Sequence, residues 1–176
     1  FRPILRNKKR ELTQSCFEGI RKSVYKNILI MDGDLQHDPK YIKKMFKIFK
    51  KYDLDIVIGS RKLLSGKNQG LSELRRFTSI ILIYFFRIFK IKTNDPMSGF
   101  FIFKKRIFNK NKKKLFNKGY KILLDLIYTC KNPTVSDIYI NFKSRQKGFS
   151  KMDLKVIYLL ALIIIQKFLR RIFNYF

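Results

Sequence analysis

The chain has 176 residues, 46% hydrophobic and 15% aromatic, enough apolar mass for one domain around one sizeable core and too much for a disordered chain. Forty Lys and Arg against 12 Asp and Glu leave a net charge of +28. That charge fits either a polyanionic partner (nucleic acid, an anionic membrane surface, a phosphorylated substrate) or the joint enrichment in Lys, Ile, Phe and Asn expected of an AT-biased genome, and alone it does not choose.

The chain opens on Phe1 with residues that read like the interior of a domain, so a missing N-terminal segment is expected. Residues 12 to about 24 have helical spacing, with Cys16, Phe17, Ile20 and Val24 on one side. Residues 28–31 are an unbroken apolar run of the kind buried in a parallel strand, and they end abruptly in Asp32-Gly33-Asp34. A helix follows, with Asp38 as its cap and Pro39 in its first turn. Ile42, Met45, Phe46, Phe49 and Tyr52 form its apolar side, and Lys43, Lys44, Lys47, Lys50 and Lys51 face water. A second buried strand, 55–59, runs into Ser60-Arg61. Strand, helix and strand at this spacing make a βαβ unit, hence a sheet at least partly parallel. Asp32 and Arg61 then fall at the carboxyl ends of strands, where ligands of such sheets sit.

Residues 66–70 read as a polar loop, and 72 to about 89 as a helix whose second half is apolar nearly all round. Asp95 to Gly99 is a turn leading into a strand at 100–103. Residues 120–130 read as a helix. Ile138, Ile140 and Phe142 alternate with Tyr139, Asn141 and Lys143 as a strand does. After a loop at 145–150, the last helix carries the apolar run 156–165, too short to span a bilayer, which needs about 20 residues. Lys155 and Lys167 flank it, and Arg170 and Arg171 add a basic end, so it reads either as an interfacial helix or as an ordinary buried one. With no repeat and no Pro/Gly/Ser-rich linker, one domain is the economical reading.

Asp32 and Asp34, two positions apart at a strand end, suit a hard cation, and Gly33 allows the tight turn between them. Mg²⁺ takes one or two carboxylates and fills its octahedron with phosphate oxygens, so the natural co-ligand is a diphosphate. The plain alternative is that Asp-Gly-Asp is only a turn. Cys16 and Cys130 stand far apart in no metal-like spacing, reading as small buried residues of a reducing compartment. His37 is the only histidine, so a His-based triad has one position to use; it reads as a group behind the carboxylates or, preferably, as an early cap residue.

The stretch ILIMDGDLQHDP, residues 28–39, resembles the nucleotide-sugar and metal-binding segment of family 2 glycosyltransferases, above all the dolichol- or polyprenol-phosphate mannosyltransferase branch, where the pattern is close to MDADLQHPP. Further matches come in the family's order. They are IVIGSR ending at Arg61, Arg76 with Ser79 as an R-x-x-S step, and Asp95 with Ser98-Gly99-Phe100 as D-x-x-S-G-F. Then follow Gly119-Tyr120-Lys121 with Asp125, on a helix that normally carries Glu, and RQKGFSK from Arg145 to Lys151. The resemblance runs from about Leu12 to the last helix. Departures are the absence of the family's opening strand and second acidic strand end, Glu11 for Gly, Phe149 for Glu, Gly33 for Ala and Asp125 for Glu.

The resemblance implies an α/β GT-A fold, Rossmann-like and nucleotide-sugar-binding, incomplete at the N-terminus. It implies a mixed, mostly parallel sheet with helices on both faces, a partial domain over 1–151 and an interfacial membrane-proximal helix over 152–176. It implies Mg²⁺ or Mn²⁺ at Asp32, Asp34 and Gln36, and donor contacts from Asp32, Asp34, Arg145 and Lys151. Arg61, Arg76 and Ser79 would hold the acceptor phosphate, with Asp34, Arg61 and Arg76 central to catalysis; Ser79 is equally a small residue at a helix contact. The implied activity is inverting transfer of a hexose, mannose from GDP-mannose first and glucose from UDP-glucose as the alternative, onto a polyprenyl phosphate at the cytoplasmic face of a membrane. Two other classes fit less well: a phosphotransferase with a nucleophilic Asp, which Leu35-Gln36 does not suit, and a basic nucleic-acid-binding module. The latter needs aromatics exposed among the cations, whereas here most of them fall on apolar helix faces or strands, so no nucleic acid is expected.

Overall fold

The computed structural model describes residues 3–5, 11–61, 80, 83, 93–116, 119, 121–142, 162 and 165. In chain order the elements are α1 (Leu12–Lys22), β1 (Asn27–Met31), α2 (Tyr41–Lys51), β2 (Ile56–Arg61), β3 (Phe100–Lys104), α3 (Lys105–Asn111), α4 (Ile122–Thr129) and β4 (Val135–Ile140). The strands form one sheet in the order β1-β3-β2-β4.

β3 is antiparallel to both neighbours, pairing Ile28 with Phe103 on one side and Val57 with Ile102 on the other. β2 and β4 are parallel, with Ile58 opposite Asp137. β1, β2 and β4 therefore run one way and β3 alone runs back. The expected βαβ unit is present, but its crossover skips one position, which β3 fills. The expectation of a mostly parallel sheet holds for strand direction and is corrected for pairing. The reason lies in the turn before β3. Asp95 bonds Arg61 at the end of β2, and Gly99 bonds Asp32 at the end of β1. β3 thus starts where those strands finish and must run the opposite way.

Side chains alternate across the strands, and both faces are covered. Ile28, Ile56, Ile58, Phe101 and Phe103 face α1, α3 and α4 through Phe17, Ile20, Phe108, Leu123 and Leu126. Val57, Phe100, Ile102, Ile138 and Ile140 face α2 through Met45 and Phe49. Each such buried side chain contributes about 1.5–3 kcal/mol of hydrophobic stabilisation. Phe17 and Phe108 meet edge to face with centroids 4.9 Å apart, fixing α1 to α3.

α2 follows the binary pattern in part: it buries Met45 and Phe49 and exposes its lysines, but Phe46 and Tyr52, expected on the apolar side, are exposed, Tyr52 lying just past the helix end. The Asp38 carboxylate accepts from the Lys40 amide (3.1 Å), and the Asp38 and Pro39 carbonyls accept from Tyr41 and Ile42, so a tight turn precedes the regular helix. Val24 falls beyond the end of α1 and is exposed. α3 had no periodic signal, because seven residues with only Ile107 and Phe108 apolar are too few to show one. Of the helix expected at 72–89 only Ile80 and Ile83 are described, both helical, with Ile83 buried; of the last helix only Leu162 and Ile165. The loops expected at 66–70 and 145–150 lie outside the described residues. Among the described residues no helix is long and apolar enough to cross a membrane.

Candidate functional site

The acidic turn grows out of β1. The Asp32 amide donates to the Gly99 carbonyl (3.1 Å), holding the end of β1 to the start of β3. Its carboxylate lies directly on Gly99, so that a Cβ there would meet Asp32 Cγ at 2.5 Å and Oδ1 at 2.9 Å. Asp34 Oδ1 accepts from the Gln36 amide (3.2 Å), and Leu35 takes a left-handed conformation (φ 63°) to close this turn. The turn leaves Leu35 exposed and carries Gln36 and His37 inward, both buried.

His37 is not the cap residue it resembled in sequence. Its ring packs between Phe100 and Phe142, at 5.1 Å from each, and Nε2 lies 3.9 Å from Asp32 Oδ2. Its Nδ1 has no hydrogen-bond partner among the described residues. Phe142, just beyond β4, also lies against the Arg61 guanidinium, 5.4 Å from ring centroid to Cζ. Asp32, His37, Phe142 and Arg61 are thus in sequence across the carboxyl edge of the sheet.

Arg61 forms the cationic side of the site. Its Nε and Nη2 donate to the two oxygens of Asp95 at 2.6 and 2.8 Å, and its amide donates to Asp95 Oδ2 at 3.1 Å. Asp95 is fully buried. Burial alone would lower the Arg61 pKa, but the negative charges of Asp95 and, after it, Asp32 raise it above its ordinary value, so the group is permanently cationic. Two of the five guanidinium N–H groups go to Asp95; the rest can serve a ligand oxygen.

A second carboxylate stands behind this pair. Asp137 on β4 accepts from Ser60 Oγ (2.5 Å), Thr93 Oγ1 (2.8 Å), the Asn94 amide (2.8 Å) and Asn94 Nδ2 (3.3 Å). Ser98 Oγ donates to the Gly59 carbonyl (2.7 Å), sealing the turn onto β2. Asp125, placed by resemblance where a Glu is usual, is buried and accepts from the Phe116 amide (2.7 Å). Burial, and then the charge of Asp32, pushes the Cys16 thiol up to about 11, so Cys16 lies within the field of the acidic turn.

Of the candidates drawn from sequence, Asp32, Asp34, Gln36 and Arg61 lie at this edge. Arg76, Ser79, Arg145 and Lys151 lie outside the described residues. Sequence reasoning had not assigned roles to Gly99, Asp95, Asp137 or Phe142. The first two were visible within D-x-x-S-G-F, while Asp137 and Phe142 carried no signal beyond strand alternation. Among the described residues no group of three His, Cys, Asp or Glu could hold a metal. Two carboxylates on one turn, with Asp32 partly open to solvent, are a donor set suited to Mg²⁺ or Mn²⁺ completed by phosphate oxygens and water.

The model of glycosyl transferase family 2 matches residues 1–112. The dolichol-phosphate mannosyltransferase of Pyrococcus furiosus is 30% identical over 158 residues, covering 88% of this chain and 44% of that protein. The protein of the same name from Saccharomyces cerevisiae is 30% identical over 163 residues, covering 89% of this chain and 60% of its own length. The chain spans about half the length of the curated relatives it matches. Glucosyl-3-phosphoglycerate synthase of Mycobacterium tuberculosis, solved with Mn²⁺, UDP-glucose and glycerol 3-phosphate, has a TM-score of 0.58 at 11% identity, over 93% of this chain and 55% of that one. That likeness bears on the fold alone, and the fold is the GT-A type expected from sequence.

Proposed function

The chain belongs to glycosyl transferase family 2, and from that premise we propose that its protein transfers a hexose from a nucleotide-sugar to a polyprenyl phosphate at a membrane surface. One observation carries the reading. The five-residue turn from Asp95 to Gly99 grips the cationic Arg61 at one end and the acidic Asp32 at the other. A site with a carboxylate pair and a fixed cation on one rim suits two phosphate groups: a donor diphosphate reached through a metal, and an anionic acceptor.

Asp32 and Asp34 would hold Mg²⁺ or Mn²⁺, with Gln36 as a further ligand, and the metal would supply Lewis-acid neutralisation of the departing nucleoside diphosphate. Gly99, lying directly under the Asp32 carboxylate and accepting from its amide, fixes where Asp32 presents its oxygens. Arg61, oriented by Asp95, donates to the acceptor phosphate and aligns it for attack. Such an acceptor is already an anionic nucleophile, so no dedicated base is required, and in-line attack inverts the anomeric centre. Arg76 and Ser79 join Arg61 at the acceptor phosphate in this reading, and Arg145 and Lys151 join the donor side.

The names of the curated relatives favour mannose and a dolichyl-type acceptor, and the lipid acceptor favours the cytoplasmic face of a membrane. The test uses the full-length protein in detergent, with polyprenyl phosphate, Mn²⁺ and radiolabelled GDP-mannose or UDP-glucose in separate reactions. Label from GDP-mannose should enter the lipid extract. Label from UDP-glucose alone would move the assignment to glucose, and label from neither would overturn it.

A further inference from the structure

Asp137 belongs to none of the motifs, yet its carboxylate accepts four hydrogen bonds. A carboxylate offers about four acceptor positions, and four donors fill them: Ser60 and Thr93 on Oδ1, the Asn94 amide and Asn94 Nδ2 on Oδ2. These donors come from the end of β2 and from the segment that precedes β3, whereas Asp137 sits inside β4 opposite Ile58. Asn94 Nδ2 also reaches Tyr139 Oη on the same strand (3.3 Å). β4 thus holds the 93–94 segment at two places.

The connection continues toward the site. Thr93 Oγ1 donates to Asp137 and accepts from the Asp95 amide (3.2 Å). Asp95 in turn binds Arg61 through three hydrogen bonds. A chain of hydrogen bonds therefore runs from Asp137 through Thr93 to Asp95 and Arg61, each member fixing the next. Asp137 has no free lone pair for a ligand, so a direct chemical role is excluded by its own bonding.

We infer that Asp137 is a positioning residue: through Thr93 and Asp95 it sets the guanidinium plane of Arg61 and thereby the affinity of the site for the acceptor phosphate. The identity of that anion rests on the function proposed above; the orientation of Arg61 does not. Asp137→Asn keeps the size of the side chain but turns an amide donor toward one pair of donors, so the 93–95 segment must shift. Thr93→Val removes only the relay hydroxyl and leaves Asp137 with its Ser60 and Asn94 bonds.

Two readouts test this in the full-length protein. The first is solvent exchange of the Arg61 Nε–H, followed by ¹H–¹⁵N NMR and assigned by its absence in Arg61→Lys. Exchange should be slow in the wild type and about tenfold faster in both Asp137→Asn and Thr93→Val, the scale of losing one hydrogen bond to a charged group. The second is steady-state transfer. KM for polyprenyl phosphate should rise about tenfold in both variants, KM for the sugar nucleotide should stay within about twofold, and neither substitution should add to the loss in an Arg61→Ala background. A purely structural role would lower activity in that background as well, which would overturn the inference. Unchanged Arg61 Nε–H exchange in both variants would overturn it too, and that measurement stands even where the wild type transfers no sugar.

Discussion

Gly99→Ala tests the cradle under Asp32 most sharply. Gly99 is not among the positive-φ residues, so alanine meets no backbone penalty there; the requirement is one of space. An added Cβ would stand 2.5 Å from Asp32 Cγ and 2.9 Å from Oδ1, with Oδ2 nearer still. Ordinary contact needs roughly 3.4 Å or more between such atoms, so the carboxylate must retreat by about 1 Å. The backbone is tied by the Asp32 amide bond to Gly99, so relief comes through the Asp32 side chain. Driving it off its rotamer costs about 0.5–1.5 kcal/mol, a fall in Tm of about 1–6 °C. The functional loss should be larger, because displacing a supported metal ligand costs about 10–100-fold in metal affinity. The assay pairs thermal unfolding with Mn²⁺ titration in the presence of GDP or UDP. In an Asp32→Ala background Gly99→Ala should cost almost nothing in Tm. Unaltered Mn²⁺ affinity, or a stability loss that persists without the Asp32 side chain, would refute the reasoning.

Other consequences are as specific. Asp95→Asn leaves Arg61 buried without its counter-charge and should destabilise the fold by about 3–5 kcal/mol in urea titration; a loss below about 1 kcal/mol would mean that Arg61 finds another partner. Phe17→Ala removes the ring that meets Phe108 and should cost about 3–5 kcal/mol, measured the same way. Cys16, with its thiol pushed up to about 11, should alkylate about 100-fold more slowly at pH 8.5 than an unperturbed thiol. Asp32→Asn should speed that reaction by removing the second of the two causes, as read by mass spectrometry. Burial opposes ionisation of Asp55, but the Thr134 amide, Arg106 and Lys104 outweigh it and hold the carboxyl below its usual value. A depressed carboxylate stabilises the fold above its unfolded pKa of about 3.9 and loses that contribution as pH falls further. Asp55→Asn should therefore flatten the decline of stability below about pH 4, and an unchanged acid limb would contradict the ion-pair assignment.

The sheet and the helices against it were legible because their signals are local. Ile56-Val57-Ile58 is an unbroken apolar run because both its faces are covered, and Met45 with Phe49 keeps helical period on α2. The antiparallel insertion of β3 was not legible. Its direction is set by where Asp95 and Gly99 bind, and those are contacts across 34 and 67 positions of the chain, which no periodicity reports. The acidic turn announced itself by composition, whereas its support did not. His37 looked like a cap since it precedes Asp38-Pro39, but the left-handed Leu35 reverses the chain and sends it into the core. Asp137 sits among intermediate and buried strand residues with nothing in its neighbours to mark it, and only the parallel pairing of β4 with β2 brings it to Ser60.

The most direct test of the central claim is metal-dependent transfer by Asp34→Ala. With labelled sugar nucleotide, polyprenyl phosphate and a Mn²⁺ series, the full-length wild-type protein should form labelled lipid with saturable dependence on the metal. Asp34→Ala, folded by thermal unfolding, should form less by a factor of about 100 or more at any Mn²⁺ concentration, given the scale on which misplaced catalytic groups act. Labelled lipid at the wild-type level from Asp34→Ala would contradict the account at its root.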